Sequence, residues 1–505
     1  LILKLNMSKT ENSNLTLNDI YFLLENPSKI KLTDLTKKKV NQSYEYVQKM
    51  AKGKKAIYGI NTGFGPLCTT KISPKQTNIL QKNLLLSHSV GLGNPINPEL
   101  SKLMLICKIH SLSKGFSGIS LTVLERIIFF VNNNLTPLVP EKGSVGASGD
   151  LAPLSHLFLP LIGEGFFWDG NKKSKALEIL KKYGLKPLDL HAKEGLALIN
   201  GTQFILAHAI KAISKLNYLL DLADLAAAMS LEGFQASLAP FKEKLHELRP
   251  FYGNIKVARR INGLLKNSQN SASHIDCDRV QDPYSIRCVP QVHGASRNAL
   301  KHIKELVTIE INSVTDNPII IDEEKSISGG NFHGQPLAIA LDYLKVAASE
   351  IGNISDRRSY LLLEGLHGLP KMLTDNPGLN SGFMITQYTS AALVSENKSL
   401  CFPSSADSIP TGMGQEDHVS MGSISGRKCL EVIYNLEKII AVELLNSAQS
   451  LEYRRPNNFS KPVEEALGLI RKTIKKLDQD KVLSEDINLI VKMIKNRAFN
   501  VYPEL

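Results

Sequence analysis

The 505-residue sequence has little that would suggest a secreted, metal-built or membrane-spanning protein: one tryptophan, six cysteines and an aromatic content of 6%. Cys68, Cys107, Cys277, Cys288, Cys401 and Cys429 are scattered, with no CxxC pair and no metal-type spacing, so reduced thiols and no bound metal are expected. No run reaches the roughly 18 consecutive apolar residues that a membrane-crossing helix needs. The leading Leu1 to Asn6, before Met7, are too short for the apolar region of a secretory signal and are given no structural weight. A cytoplasmic protein without a membrane partner is expected. No internal repeat or low-complexity tract stands out. With 43% hydrophobic and 21% charged residues, the chain is neither globally disordered nor fibrous.

Charge of one sign is mildly in excess, 60 Lys+Arg against 48 Asp+Glu, for a net +12. The densest basic clusters, Lys37 to Lys39, Lys52 to Lys55 and Lys472 to Lys476, alternate with apolar positions as solvated helix faces do. No nucleic-acid motif accompanies them, so no nucleic-acid partner is expected.

At about 150 residues per domain the length allows roughly three units, or fewer elongated ones. Residues 1–14 read as a disordered extension, 15–201 as a loop-rich region and 202–505 as a long-helix region. Gly and Pro punctuate Tyr58 to Pro66, Gly91 to Pro98 and Pro137 to Pro153. Ser73, Pro74 and Gln76 form a capping-box pattern that starts a helix running to about His88. Leu157 to Leu161 is a short apolar run. Asp169-Gly170 after Phe166 to Trp168 suggests a hairpin, and Pro318 to Ser328 a second. Gln203 to Gly233 carries apolar residues at spacings of three and four, as do Ala299 to Ile311, Pro336 to Gly365 and Leu430 to Leu451. Pattern alone therefore predicts a mostly α protein of long packed helices carrying glycine-rich loops.

The chemistry concentrates in those loops. GSVGASGDLAPLSHL, Gly143 to Leu157, lacks the Gly-Lys-Ser/Thr of a phosphate loop and does not match a GxSxG elbow around Ser148. Its Ala-Ser-Gly-Asp resembles the signature of the aromatic amino acid ammonia-lyases. Further segments in family order extend the resemblance from about Leu15 to near the C-terminus: YGINTGFG from Tyr58, NLLLSHSVGLG from Asn83, KEGLALINGTQ from Lys193, QDPYSIRCVPQVHG from Gln281, EINSVTDNP from Glu310, SGGNFHGQP from Ser328 and IPTGMGQEDHVSMG from Ile409. Ser87-His88 and Gln415-Glu416-Asp417-His418 resemble the histidine-specific branch more than the branches acting on phenylalanine or tyrosine. Val289, His293, Gly334-Gln335 and Gly412 to Gly414 differ from some members.

The resemblance implies an all-α fold, an elongated bundle of the fumarase/aspartase-like class with a few short hairpins, assembled as a homotetramer with shared sites. It implies a carbon-nitrogen lyase that eliminates ammonia from L-histidine to give trans-urocanate, the first step of histidine degradation. Its electrophile, 4-methylidene-imidazol-5-one (MIO), would form from Ala147, Ser148 and Gly149, without an external cofactor, and act on the substrate amine or on its ring. Asp150, next in the signature, is a helper of that chemistry. Carried over residue by residue, Tyr58 is a proton-transfer residue, Glu416 an acid/base, Tyr284 catalytic, and His88 a partner of the substrate imidazole. Asn200 and Gln281 position amine and prosthetic group, Phe332 lies beside that group, and Arg287 anchors the α-carboxylate, for which its planar fork is suited. Outside this context each has an ordinary structural use, Asn200 as a helix cap and Phe332 as core. A tyrosine or phenylalanine ammonia-lyase, or an aminomutase, is the alternative.

Overall fold

A computed structural model of the chain describes residues 14–26, 30–73, 76–170, 172–274 and 280–505. Most of residues 1–14, the expected disordered extension, together with Pro74 and Cys277, lies outside them. The helices that frame the loops are α1 (Thr77–His88), α2 (Pro98–Ser113), α3 (Glu194–Ile199), α4 (Gln203–Phe234), α5 (Val289–Ile311), α6 (Gln335–Leu363) and α7 (Gly422–Glu452). The three-and-four spacing thus marks real helices, and the fold is of the all-α fumarase/aspartase-like class. Helix α4 is apolar around most of its circumference and buried along most of its length, the state expected of a helix without a polar face. It ends where Gln235 turns to a φ of 52°.

Two compact units divide the chain. The first comprises residues 1–211, 304–342 and 403–427. Among the described residues it holds every short strand: β1 (Leu92–Pro95) with β2 (Pro140–Lys142), β3 (Phe166–Asp169) with β4 (Lys172–Lys175), and β5 (Ile319–Ile320) with β6 (Ser326–Ile327), all antiparallel. The last two pairs are the hairpins the turn residues mark. The first pair joins two glycine- and proline-rich segments that periodicity leaves as loops. Two local expectations shift. Helix α1 is described from Thr77, with the Ser73 hydroxyl donating to the Gln76 side chain at 2.8 Å, while Pro74 of the capping-box pattern lies outside the described residues. The apolar run from Leu157 ends a helix, Leu151–Phe158, and enters a 3-10 turn, Leu159–Ile162.

The second unit comprises residues 212–303, 343–402 and 428–505. Segments of α4, α5, α6 and α7 pack there around a buried ionic network. Glu443 accepts from Arg358 Nε at 2.5 Å and Nη2 at 2.9 Å, and from Ser230 and Ser355 at 2.7 and 2.6 Å. Asp224 takes Arg260, Arg297 and His293, the last at 2.7 Å through Nδ1. Burial alone would raise the Asp224 carboxyl, but Arg297, His293 and Arg260 together hold it well below the usual carboxylate range. Such a network contributes definition more than net stability, since desolvation offsets most of the attraction.

Candidate active site

The Ala147-Ser148-Gly149 triplet sits in a turn that side chains would obstruct. Ser148 has a φ of 52° and Gly149 one of 79°. A Cβ on Gly149 would lie 2.2 Å from the Gly201 carbonyl oxygen, and one on Gly146, 2.3 Å from Ser420 Oγ. Glycine is therefore required at both positions, and Ser148 holds a conformation L-residues seldom adopt. The turn is fastened from three directions. Asp150 N–H donates to Gly201 O at 2.7 Å, Met421 N–H to Val145 O at 2.9 Å, and Ser423 Oγ to Ser144 O at 2.5 Å. Asp150 Oδ2 accepts from the first-turn amides of α4, Phe204 N–H at 2.9 Å and Ile205 N–H at 3.0 Å, as anions do at helix N-termini. Burial nevertheless pushes the Asp150 carboxyl up to about 7, against those amides and Ser144.

Asn200 closes α3 as its C-cap and also reaches the triplet. Its Nδ2 donates to Ser148 O and to Ser148 Oγ, each at 2.8 Å, while its Oδ1 is buried without a hydrogen-bond partner. Asn200 thus caps a helix and binds the serine at once. The restricted turn, the clearance for Gly149 and an amide gripping both serine oxygens fit a group built from this triplet.

A cavity of about 290 Å³ opens beside the first residue of the triplet, lined among others by Ser87, His88, Ser144 and Ala147. His88 is the last residue of α1, where the residue spacing puts it, and Ser87 Oγ lies 3.0 Å from its Nδ1. Burial holds this imidazole below its ordinary pKa, so it is neutral at pH 7. Tyr58 is half-buried; burial raises its phenol, the Gly65 amide opposes that, and the Glu416 carboxylate adds to it. A Cβ on Gly65 would stand 3.2 Å from Glu416 Oε1, so the two loops meet at this carboxylate. His333 Nε2, next to half-buried Phe332, lies 3.3 Å from His418 O, which brings the NFH segment to the same loop. Among the described residues no cluster of three or more His, Cys, Asp or Glu is disposed to hold a metal ion.

Gln281, Tyr284 and Arg287 belong to the second unit. Gln281 is exposed, Tyr284 is 70% exposed, and the Arg287 guanidinium stacks 4.5 Å over the Tyr284 ring. Among the described residues the Arg287 guanidinium has no hydrogen bond or ion pair, and its Nε is buried without a partner.

Several site residues escape the sequence. Lys108, 1% exposed, donates to Asn200 O at 2.6 Å. Buried Lys193 pairs with Asp316 at 2.7 Å, and Thr202 bonds Glu310. His156 Nε2 accepts from Gly91 N–H at 3.0 Å. The available signal for Lys108 was a lone cation inside the apolar run Leu103 to Ile109.

Fold and site together define a helical enzyme of the ammonia-lyase and aminomutase class: residues 15–472 match the aromatic amino acid lyase model, and the chain belongs to that family. Within it, the chain is 44% identical over 486 residues to a histidine ammonia-lyase of Symbiobacterium thermophilum, covering 96% of each. Among solved structures it resembles histidine ammonia-lyase from Trypanosoma cruzi, at 41% identity and a TM-score of 0.88 over 96% of this chain and 92% of the other. It also resembles tyrosine aminomutase from Streptomyces globisporus, at 31% identity and a TM-score of 0.91 over 96% of each.

Proposed function

We propose that this chain is a histidine ammonia-lyase: it eliminates ammonia from L-histidine without oxidation, releasing trans-urocanate, using MIO formed from Ala147, Ser148 and Gly149. The observation that carries the substrate is that His88 lines the same cavity as Ala147, where burial holds its imidazole below the ordinary pKa. A neutral ring has both a donor and an acceptor nitrogen, which suits pairing with a second imidazole. Backbone similarity alone does not choose the reaction, since the aminomutase superimposes as well as the lyase. The higher identity to histidine lyases and the Ser87-His88 pair favour histidine.

Once formed, MIO supplies an electrophile that makes loss of the amine feasible at neutral pH. Around it, Asn200 and Gln281 position amine and prosthetic group, Tyr284 works beside them, and Phe332 packs against the group. Arg287, whose guanidinium has no other ion partner among the described residues, holds the α-carboxylate by paired charge-assisted hydrogen bonds. His88 orients the imidazole, and Tyr58 or Glu416 takes the β-proton, the two groups being neighbours. Gln281, exposed Tyr284 and unpaired Arg287 support a homotetramer in which another copy completes each site. Among the described residues no helix is long and apolar enough to cross a membrane, and the five described cysteines are free, in keeping with a cytoplasmic enzyme.

The test is to incubate the purified chain separately with L-histidine, L-tyrosine and L-phenylalanine and follow the ultraviolet absorbance of each acrylate product. Urocanate from histidine alone is expected. Coumarate or cinnamate instead would overturn the role of His88 while keeping the electrophile; no product from any of the three would overturn the lyase.

A further inference from the structure

Lys108 lies in the middle of α2, a helix buried from Leu103 through Leu112. An ammonium removed from water is costly unless its three donors are satisfied and its charge is balanced. Here one hydrogen bond is made, to the Asn200 carbonyl at 2.6 Å. The carboxylates around it are committed elsewhere. Asp316 pairs with Lys193 at 2.7 Å, and Asp150 accepts from Phe204 and Ile205. Among the described residues Lys108 forms no ion pair, and a packed methionine or leucine would serve stability better.

What the single bond holds is informative. The Asn200 carbonyl belongs to the Asn200-Gly201 peptide, whose two residues bond the triplet and the residue that follows it. The Asn200 side chain grips Ser148 O and Oγ, and Gly201 O accepts from Asp150 N–H where the chain passes Gly149. Gly201, at a φ of 138°, has a conformation open to few other residues. Its peptide therefore needs an external anchor, and Lys108 is the group that reaches it.

We propose that Lys108 is a positioning residue for maturation of the triplet: by fixing the Asn200-Gly201 peptide, it holds Ser148 and Gly149 in the geometry that ring closure requires. This rests on reading Ala147 to Gly149 as the MIO precursor. In that closure the Gly149 nitrogen bonds the Ala147 carbonyl carbon. One water leaves with the Ala147 oxygen and the protons of the Gly149 and Ser148 amides; a second leaves with the Ser148 hydroxyl and its α-hydrogen. Burial brings the Lys108 ammonium down to about 7, a direct expression of what it costs to keep this cation out of water with a single hydrogen bond.

The test follows maturation by mass. Full-length wild type, K108M and K102M are made by cell-free synthesis, and intact mass is sampled over time for the loss of two waters, with Trp168 emission reporting folding. Wild type is expected to lose both waters. Folded K108M should lose them at least about tenfold more slowly, the scale of one charge-assisted hydrogen bond. Lys102, on the same helix, donates instead to Asn134 Oδ1 at 3.1 Å, so K102M should mature at the wild-type rate. Folded K108M maturing as fast as wild type overturns the proposal, as does K102M slowing equally. If K108M does not fold, K108Q, which keeps a neutral donor, replaces it with the same two outcomes. A wild type that retains both waters would overturn the MIO reading itself.

Discussion

Replacing Gly149 by alanine tests how tightly the triplet is held, and Gly184 supplies a control for it. Both are in the left-handed region, Gly149 at a φ of 79° and Gly184 at 67°, and both lie in the first unit. At Gly184 an added Cβ would meet nothing within 4 Å; at Gly149 it would stand 2.2 Å from Gly201 O and 2.7 Å from Gly201 C. G184A therefore isolates the backbone strain, about 1–2 kcal/mol. G149A adds a collision with main chain, about 1–3 kcal/mol for overpacking, and puts at risk the bond from Asp150 N–H to Gly201 O, about 1 kcal/mol more. Hence G149A should destabilise by about 3–6 kcal/mol, roughly 2–4 kcal/mol beyond G184A. The only tryptophan, Trp168, lies on β3 of the same unit, so its emission during urea unfolding reads the relevant transition. G149A should also keep the mass of both waters while G184A loses them. Equal urea midpoints for the two variants would refute the close approach of Gly149 and Gly201 as a constraint.

In the second unit, E443Q removes the charge that Arg358 faces at full burial, and a loss of about 3–5 kcal/mol is expected in urea unfolding followed by circular dichroism; a change under 1 kcal/mol would show that the network relaxes. Burial lowers the His110 imidazole to about 4, so the unfolded chain takes up a proton near 6.5 while the folded one does not until about 4. This contribution to stability is complete above pH 6.5 and is lost as pH falls towards 4, on the order of 3 kcal/mol. H110Q should lack it, so its stability relative to wild type should rise by that amount between pH 7 and pH 4, measured by Trp168 emission; a pH-independent difference would contradict the buried neutral state. R287K keeps the charge but not the paired donors, and KM for L-histidine should rise about tenfold or more with kcat less affected; an unchanged KM would remove Arg287 from carboxylate binding.

How much of this was legible in the chain divides along physical lines. Spacing of apolar residues exposes helices such as α4 and α6 because local periodicity and burial report the same fact. Turn chemistry likewise exposes the hairpins at Asp169-Gly170 and Pro318 to Ser328, whose pairing partners are near in sequence. The β1–β2 ladder joins residues some 45 positions apart through Gly- and Pro-rich chain, and no local pattern encodes it. Motif order marked the triplet, Tyr58, His88, Asn200 and Glu416, which the fold places together in one unit.

What stayed hidden is the support beneath those residues, and the reason is that polar residues on a helix read locally as solvent-facing. Asp224, His293, Arg297, Arg358 and Glu443 have the polarity of surface positions, yet the network that satisfies them is assembled from four helices distant in sequence. Lys108 goes further, because its partner is a backbone carbonyl, which no side-chain pattern can announce. A buried charge must be compensated by something, so the number of partners it lacks is itself informative. For Arg358 the compensation is complete and the role is architectural. For Lys108 it is a single bond, to the peptide that braces Ser148 and Gly149, so the cost of burying that cation is better explained by the chemistry it supports than by the stability of the helix that carries it.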